Sequence, residues 1–267
     1  MVMGLDQLAT RYLFTGQLVM ESGLHIGGGR DTLGTTDSAV MKYLDDRPYI
    51  PGSSLKGAFR SAVERASASF PKIRSCGLTA QNDTACPTAK GLGPDVPKAD
   101  DEVLANLCAT CRLFGSPYMA GKVRFSDLQV IQTSWAGLTE VRDGVGIDRD
   151  TDCAVDRIKY DYEVVPSETE FEFRLIAENL DVGNSEMALL AIGIRELQAG
   201  MIPIGGIRTR GLGRCRLTGL AAYYLNFADT NKLKAYLKKG GLEDGEFKLS
   251  EAELSELFNN QIDLLFQ

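Results

Sequence analysis

Four of the six cysteines are close together in the sequence, with the spacing C-x9-C-x21-C-x2-C across Cys76, Cys86, Cys108 and Cys111. The last two fall at the end of a helix predicted over residues 99–113, where a separation of three residues points both sulfurs to one side. Four sulfurs suit tetrahedral Zn²⁺, and the ion would be structural because four protein ligands leave no open position for water. It would also supply folding free energy to a polar segment. The alternative is four reduced thiols, as we expect for Cys153 and Cys215, which lie in other segments.

Two glycine-rich segments could approach an anion closely. Residues 23–30 read GLHIGGGR, and residues 205–214 read GGIRTRGLGR. Neither contains the glycine pattern of a Walker loop or of a dinucleotide-binding fold. The second segment places exposed backbone amides beside arginines, a combination that binds phosphates. The alternative is a glycine-rich hairpin with solvated arginines.

The charge of the chain is acidic overall but uneven. There are 29 basic and 36 acidic residues, a net charge of −7, which excludes a protein whose whole surface attracts nucleic acid. Residues 51–75 nevertheless carry five basic side chains and one acidic, and residues 201–216 carry four arginines and no acid. Folding that joins these two segments would line one groove with Lys56, Arg60, Arg208 and Arg210; otherwise they are two solvated faces.

The single histidine, His25, excludes acid–base catalysis by two histidines of this chain. We expect His25 to be a packed or hydrogen-bonded loop residue rather than a sole general base. The longest apolar run, residues 187–194, is too short to cross a bilayer, and no signal peptide is recognisable. A cytoplasmic protein is therefore expected, and cysteines in that compartment favour thiols or metal over disulfides.

Six regular elements are predicted around these residues, in the order β-α-β-β-α-β. The strands cover residues 12–20, 122–132, 168–177 and 213–223, and the helices begin at Ser53 or Ser54 and at Asn184 or Ser185, the second ending before Gly200. This α+β order predicts a ferredoxin-like arrangement of four antiparallel strands backed by two helices.

The 267 residues are expected to form a single domain with long insertions. The first insertion, residues 67–121, contains the cysteine group, and the second, residues 132–166, is polar with scattered aromatic residues. Insertions of this length in a compact domain are commonly functional or disordered. Two helices, over residues 231–239 and 250–266, make residues 224–267 an acidic helical cover for the core.

Several of these segments together resemble the RAMP superfamily, most closely the backbone subunits of type III CRISPR effector complexes. The motifs are LHIGG at 24–28, TDSAV at 36–40, PYIPGSSLKG at 48–57 followed by Arg60, LFG at 113–115, GVGIDR at 144–149 and the glycine-rich segment at 205–213. The resemblance covers about residues 12–220, and PGSSLKG is its most specific string. The cysteine insertion is similar to that of subunits from the type III-D and III-E branches.

The resemblance implies a ferredoxin-like or RRM-like palm with a protruding thumb, repeated as a filament along a guide RNA. Ser53, Ser54, Lys56 and Arg60 would bind the guide backbone, and Arg208 and Arg210 would belong to the glycine-rich loop beneath the RNA. His25 would donate to RNA. Arg142 and Arg149 would lie on the thumb, which wedges between nucleotides. The implied partners are guide CRISPR RNA, target RNA and other CRISPR effector subunits.

Asp37 matches the acidic residue that supports cleavage of the paired target RNA in cleaving family members. The implied chemistry is attack by an RNA 2′-hydroxyl on the adjacent phosphate, with Mg²⁺ or Mn²⁺ offsetting the charge on its oxygens. Without the resemblance, Asp37 would be an Asx-type loop cap beside Ser38. The alternatives are a structural RNA-binding subunit without catalysis, a precursor-RNA-processing endonuclease and a zinc-stabilised module that binds a small anion.

Overall fold

The computed structural model describes residues 7–28, 36–70, 73, 75–76, 86, 107–116 and 119–266. Its strands are β1 (Thr10–Met20), β2 (Tyr49–Ile50), β3 (Val123–Phe125), β4 (Leu128–Gln129), β5 (Glu140–Ile147), β6 (Ala154–Val164), β7 (Glu170–Glu178), β8 (Cys215–Asn226) and β9 (Lys248–Leu249). Its α-helices are α1 (Gly52–Ser67), α2 (Ala109–Phe114), α3 (Ser185–Gln198), α4 (Thr230–Lys239) and α5 (Glu251–Asp263). Short 3₁₀ turns cover Gln132–Ser134 and Arg208–Arg210.

Five strands form the main sheet, in the order β3-β7-β1-β8-β9, and every neighbouring pair is antiparallel. The register places Phe14 of β1 opposite Leu175 of β7 and Ala222 of β8. Apolar residues alternate along β7, and Phe171 and Phe173 are buried on one face. The expected mixture of helices with an antiparallel sheet is confirmed.

Helices α1 and α3 pack on this sheet and share its core. Phe59 of α1 meets α3 at Gly193, where an added Cβ would lie 2.2 Å from the Phe59 ring. Helix α5 joins the same core through Leu254 and Phe258. Leu13, next to Phe14 on β1, points to the other face of the sheet, in a second cluster that α4 helps to cover. The two C-terminal helices therefore pack on opposite faces.

Two predicted boundaries differ from the structure. The strand expected over residues 122–132 is split into β3 and β4, because Asp127 turns aside and its Oδ1 accepts a hydrogen bond of 2.7 Å from the backbone N–H of Gly52. Helix α1 accordingly begins at Gly52 after Pro51, so Ser53 and Ser54 lie in its first turn instead of capping it.

The other helix boundaries agree more closely with the prediction. Asn184 is the residue before α3, and Ser250 caps α5 in a capping box with Glu253. Of the helix expected over residues 99–113, residues 99–106 lie outside the described part. No helix among the described residues is long and apolar enough to span a bilayer.

Candidate nucleic-acid interface and metal centre

A cleft of about 370 Å³ opens where the first two turns of α1 meet both glycine-rich segments. Its lining consists mainly of small residues and includes no acid: Ile26, Gly27, Ser53, Ser54, Gly57, Ala58, Ser61, Gly205, Gly206 and Arg208. Glycines and serines expose backbone amides and hydroxyls, and the guanidinium adds one positive charge. This combination suits the backbone of an anionic chain better than an apolar ligand.

The floor of the cleft depends on a close approach between the two glycine-rich segments. The backbone N–H of Gly206 donates to the carbonyl of His25 over 2.8 Å, and that of Gly213 donates to Gly23 over 2.9 Å. Gly205 has a φ of +85°, and a Cβ there would lie 2.4 Å from the His25 carbonyl oxygen. Only glycine permits this contact, so the sequence pattern creates the floor.

Of the four basic residues expected to share one groove, Arg208 is the one that lines the cleft. Arg208 is also exposed. Arg60 is not part of the cleft lining, and its guanidinium binds Glu64 at 2.8 Å and the carbonyl of Gly115 at 3.0 Å. Its side chain is held by Glu64, one helical turn away, and by the carbonyl of the half-buried Gly115, and the expected role of Arg60 in binding RNA stays a prediction.

The other two basic residues are also placed differently from Arg208. Lys56 is half-buried on α1, and burial followed by the nearby charge of Arg60 lowers its pKa below the ordinary value. Arg210 is hydrogen-bonded to the hydroxyl of Tyr160, and its guanidinium lies 5.8 Å from the centre of that ring. Arg210 thus links the glycine-rich loop to strand β6.

His25 is buried beneath the cleft, with both ring nitrogens hydrogen-bonded. Nδ1 lies 2.7 Å from the carbonyl oxygen of Glu163, and Nε2 lies 3.3 Å from the hydroxyl of Ser38. A carbonyl can only accept, so Nδ1 donates and Nε2 accepts from the hydroxyl. The ring also meets Tyr162 edge-on at 5.6 Å. His25 therefore braces the floor, as expected of a packed loop histidine.

Strands β5 and β6 form a separate two-stranded hairpin beside the cleft. Arg142, near its base, is exposed and binds Glu140 at 3.0 Å, and Arg149 is exposed in the turn at its tip. Tyr160 lies over Gly144, where a Cβ would come within 2.2 Å of the ring. The hairpin also exposes several apolar side chains: Val141, Val145, Ile147 and Ile158.

Asp37 is exposed at the base of this hairpin and pairs with Asp161 of β6. Its carboxylate Oδ2 accepts from the backbone N–H of Asp161 over 3.0 Å, and its own N–H donates to Asp161 Oδ1 over 2.6 Å. The following segment is held by Glu163, whose carboxylate accepts from Val40 N–H at 3.0 Å and Lys42 Nζ at 2.7 Å. Sequence analysis missed Asp161 and Glu163; their two-residue spacing on a strand was the available signal.

The four predicted cysteine ligands come together. Cys76, Cys86, Cys108 and Cys111 are all buried, and their sulfurs lie within 4.8 Å of one another. Cys76 Sγ is 3.4 Å from Cys111 Sγ and 3.6 Å from Cys108 Sγ. Sulfurs around a tetrahedral ion with bonds of about 2.3 Å are about 3.8 Å apart. The group could therefore hold a metal ion with little rearrangement.

The surroundings of the cysteine group favour thiolate at one sulfur and attach the group to the core. A hydrogen bond with Cys111 lowers the pKa of Cys108 to about 3, whereas burial raises the pKa of Cys86 to about 11. Arg60 Nη2 approaches Cys111 Sγ at 3.6 Å. Arg112 binds the buried Glu186 of α3 at 2.6 Å. Sequence analysis did not anticipate this ion pair, because its members are far apart in the chain.

Comparison with known proteins places these features in a family. A model of the RAMP superfamily matches residues 17–216. The chain belongs to the RAMP superfamily. The matched range contains the cleft, Asp37, the cysteine group and the hairpin, and it ends in β8 before the two C-terminal helices. The family membership expected from the sequence motifs is therefore confirmed.

Curated relatives of this RAMP protein carry the name CRISPR system Cms endoribonuclease Csm3. The chain is 27% identical to the protein of Methanothermobacter thermautotrophicus over 217 residues, 76% of this chain and 82% of the relative. It is 30% identical to the Enterococcus italicus protein, over 75% of this chain and 86% of the relative. It is 26% identical to the Streptococcus thermophilus protein, over 78% and 88%. These matches extend over most of each relative.

Proposed function

We propose that this RAMP protein is a guide-RNA-binding backbone subunit of a type III CRISPR effector complex and that it cleaves the guide-paired target RNA through Asp37. The observation that carries the proposal is the cleft, where α1 and both glycine-rich segments meet around Arg208 with no acidic side chain in the lining. The name of the curated relatives, CRISPR system Cms endoribonuclease Csm3, supports a place in a CRISPR system and an RNA-cleaving activity. Its partners would be guide RNA, target RNA and other effector subunits, and its location the cytoplasm.

The proposed palm is the main sheet with α1 and α3, in a ferredoxin-like arrangement. Along the chain these elements run β1-α1-β3-β7-α3-β8, and β3, β7, β1 and β8 are neighbours in the sheet in that order. This is the β-α-β-β-α-β pattern with antiparallel neighbours. The β5–β6 hairpin would be the thumb, within the insertion at 132–166, and the cysteine group would form the core of the insertion at 67–121. Residues 224–267 would remain the helical cover.

The guide would be recognised through its backbone, since a subunit that serves many guides must not read sequence. Ser53, Ser54 and the amides of the glycine-rich floor would contact phosphate and sugar, with Arg208 supplying charge. Lys56 would contribute at the edge of the cleft. Arg142 and Arg149 would meet RNA along the hairpin, and Arg210 would support it through Tyr160. His25 would affect RNA binding indirectly, by supporting the floor of the cleft. Arg60 would affect it indirectly through the cysteine metal site.

In the proposed reaction, a 2′-oxygen of the target RNA bonds to the adjacent phosphorus as the bond from phosphorus to the 5′-oxygen breaks. The 2′-hydroxyl loses its proton and the leaving 5′-oxygen gains one, giving a 2′,3′-cyclic phosphate and a 5′-hydroxyl. A divalent cation, Mg²⁺ or Mn²⁺, would offset charge on the phosphate oxygens. Asp37 would offer one carboxylate oxygen to it. The cysteines are the only metal-ligand group of three or more in the described part, so RNA oxygens and water would complete this cation's ligands.

The ion at the four cysteines would be structural Zn²⁺. Four buried sulfurs at near-tetrahedral separations support zinc rather than a hard cation, which prefers oxygen. The site would fix the cysteine insertion against α1 and α3 and take no part in cleavage, because no coordination position stays open.

The test uses the assembled complex with a labelled RNA complementary to the guide, with Mg²⁺ and with a chelator. Wild type should cut in Mg²⁺ alone and leave a 2′,3′-cyclic phosphate. Asp37→Ala should assemble and bind RNA normally but cleave at least about a hundredfold more slowly. Asp45→Ala, which removes an exposed acid paired with Arg47 in the same segment, is the matched control and should cleave normally. Unchanged cleavage by Asp37→Ala would leave the structural RNA-binding subunit as the function.

A further inference from the structure

Asp37 is held by an unusual pair of hydrogen bonds that joins two acidic residues far apart in the chain. Each residue uses its main-chain N–H to bind the carboxylate of the other, over 2.6 Å from Asp37 and over 3.0 Å from Asp161. The exchange fixes both the backbone and the side chain of Asp37. A loop aspartate would otherwise sample several side-chain rotamers.

Asp161 of this pair lies in a regular strand, whereas Asp37 lies in a loop. Asp161 lies on β6 opposite Asp143 of β5, and the next residues of β6 are anchored by the buried Tyr162 and Val164. Asp37 lies in a bend outside any named strand, and a single bridge joins its neighbour Ser38 to Tyr162. The strand therefore positions the loop.

The two carboxylate oxygens of Asp37 have different surroundings in this pair. Oδ2 is occupied by the Asp161 N–H, and Oδ1 has no hydrogen-bond partner among the described residues. Asp37 is exposed, so Oδ1 remains available to a ligand. A carboxylate that is fixed through one oxygen presents the other at a defined place and orientation, which is what positioning a reacting group requires.

We infer that Asp161 is a positioning residue for Asp37, which orients the free carboxylate oxygen toward the cation at the scissile phosphate of the target RNA. The inference rests on the proposed function. The Asp161 N–H that binds Oδ2 belongs to the backbone and remains in every variant, so the side chain acts by accepting the Asp37 N–H, which fixes the loop backbone that carries the carboxylate. This role needs an oxygen acceptor at position 161 and no negative charge, because the group that binds it is a neutral backbone N–H. Asparagine can therefore replace aspartate at this position, and alanine cannot.

The experiment measures single-turnover cleavage of guide-complementary RNA by complexes that contain Asp161→Ala, Asp161→Asn or Asp143→Ala. Asp143 is the matched control, because it faces Asp161 across the hairpin and its carboxylate contacts Lys159. We expect Asp161→Ala to lower the cleavage rate constant by about ten- to a hundredfold, the usual effect of misplacing a reacting group. RNA affinity should stay unchanged. Asp161→Asn and Asp143→Ala should cleave close to the wild-type rate.

The results distinguish a failure of the inference about Asp161 from a failure of the proposed function. Normal cleavage by Asp161→Ala overturns the inference, as does a loss in Asp161→Asn equal to that in Asp161→Ala, which would assign the charge of Asp161 a direct part in binding the cation. Normal cleavage by Asp37→Ala overturns the proposed function itself. If the alanine variant assembles poorly, the comparison of Asp161→Asn with Asp143→Ala in the assembled complex still decides between position and charge.

Discussion

Glu163 joins separate parts of the chain at the base of the hairpin. Besides its bonds to the segment after Asp37, its carboxylate accepts from the hydroxyl of Thr139 over 2.7 Å, and its carbonyl accepts from His25. Burial opposes ionisation of Glu163, but hydrogen bonds from Lys42, Thr139 and the Val40 N–H outweigh it and lower the pKa below its ordinary value. Glu163 therefore holds the Asp37 segment and the start of β5 through its side chain, and the floor of the cleft through its backbone carbonyl.

The lowered pKa predicts how stability changes with pH. The contribution of this carboxylate is fully present above its unfolded-state pKa of about 4.3 and is lost as the pH falls toward the lower folded value. Glu163→Gln should therefore reduce the free energy of unfolding by about 1–3 kcal/mol at neutral pH. The difference from wild type should shrink as the pH falls below about 4.3. Urea unfolding at a series of pH values measures both.

Glu140→Gln is the control for this prediction. Glu140 lies on the same hairpin, but 51% of its side chain is exposed, and its ion-pair partner is Arg142. Its substitution should change stability by less than about 0.5 kcal/mol at any pH. A destabilisation by Glu163→Gln that persists undiminished in acid would mean that shape, not charge, determines the contribution of Glu163.

At the scale of the elements, the cysteine group connects three helices. Helix α2 carries Cys111, whose sulfur is approached by Arg60 of α1, and Arg112 of the same helix binds Glu186 of α3. Two of the sulfur ligands are at α2, and the other two, Cys76 and Cys86, come from the chain before it. An ion at this position would therefore attach the insertion to the face of the palm that contains the cleft helix.

Removing the ion should loosen this attachment. Wild type should contain about one zinc per chain by elemental analysis, and a chelator should lower its melting temperature by at least about 5 °C. Cys111→Ser should lose the metal and show the lower melting temperature without chelator. Cys153→Ser, which changes an exposed cysteine in the turn of the hairpin, should match wild type in both measurements. Wild-type protein with far less than one equivalent of zinc would indicate four reduced thiols.

The regular elements were largely predictable from the sequence because periodicity reports burial. Phe171, Phe173 and Leu175 alternate as expected of a strand with one buried face, and the helical spacing of Leu55, Phe59 and Val63 matches the core face of α1. The break between β3 and β4 was not predictable, because it depends on a hydrogen bond from Gly52 to Asp127, which is remote in sequence. Local sequence patterns do not indicate a hydrogen-bond partner that lies far away in the sequence.

At the scale of the whole molecule, sequence patterns predicted the parts of the candidate site that depend on close contact between backbone segments. They did not predict the parts that depend on which partner a long side chain contacts. The glycine-rich segments meet because Gly205 alone fits against the carbonyl of His25. Arg60 has a long, flexible side chain, and its direction is set by its hydrogen bonds to Glu64 and Gly115. The role of Asp161 was not predictable because its partner, Asp37, lies on a loop whose position sequence patterns do not predict.

The electrostatics of the whole chain oppose RNA binding, since a molecule with net charge −7 repels a polyanion at long range. Binding must therefore depend on local positive charge, and Arg208 is the one charged residue that lines the cleft. Each phosphate contact to single-stranded RNA contributes about 0.7 to the slope of log affinity against log salt. Arg208→Ala should reduce that slope by about this amount and weaken binding equally for unrelated RNA sequences.

The control for this prediction is Arg195→Ala, which removes the same charge from an exposed position on α3, where the guanidinium bonds to Ser255 and Asn259. If the cleft binds the RNA backbone, Arg195→Ala leaves the salt slope unchanged, because a distant surface charge acts only through the screened field of the molecule. Titrations with two RNAs of unrelated sequence over a range of salt concentrations measure both variants. Equal losses in the two variants would mean that net charge governs binding, and the cleft would then have no special part in it.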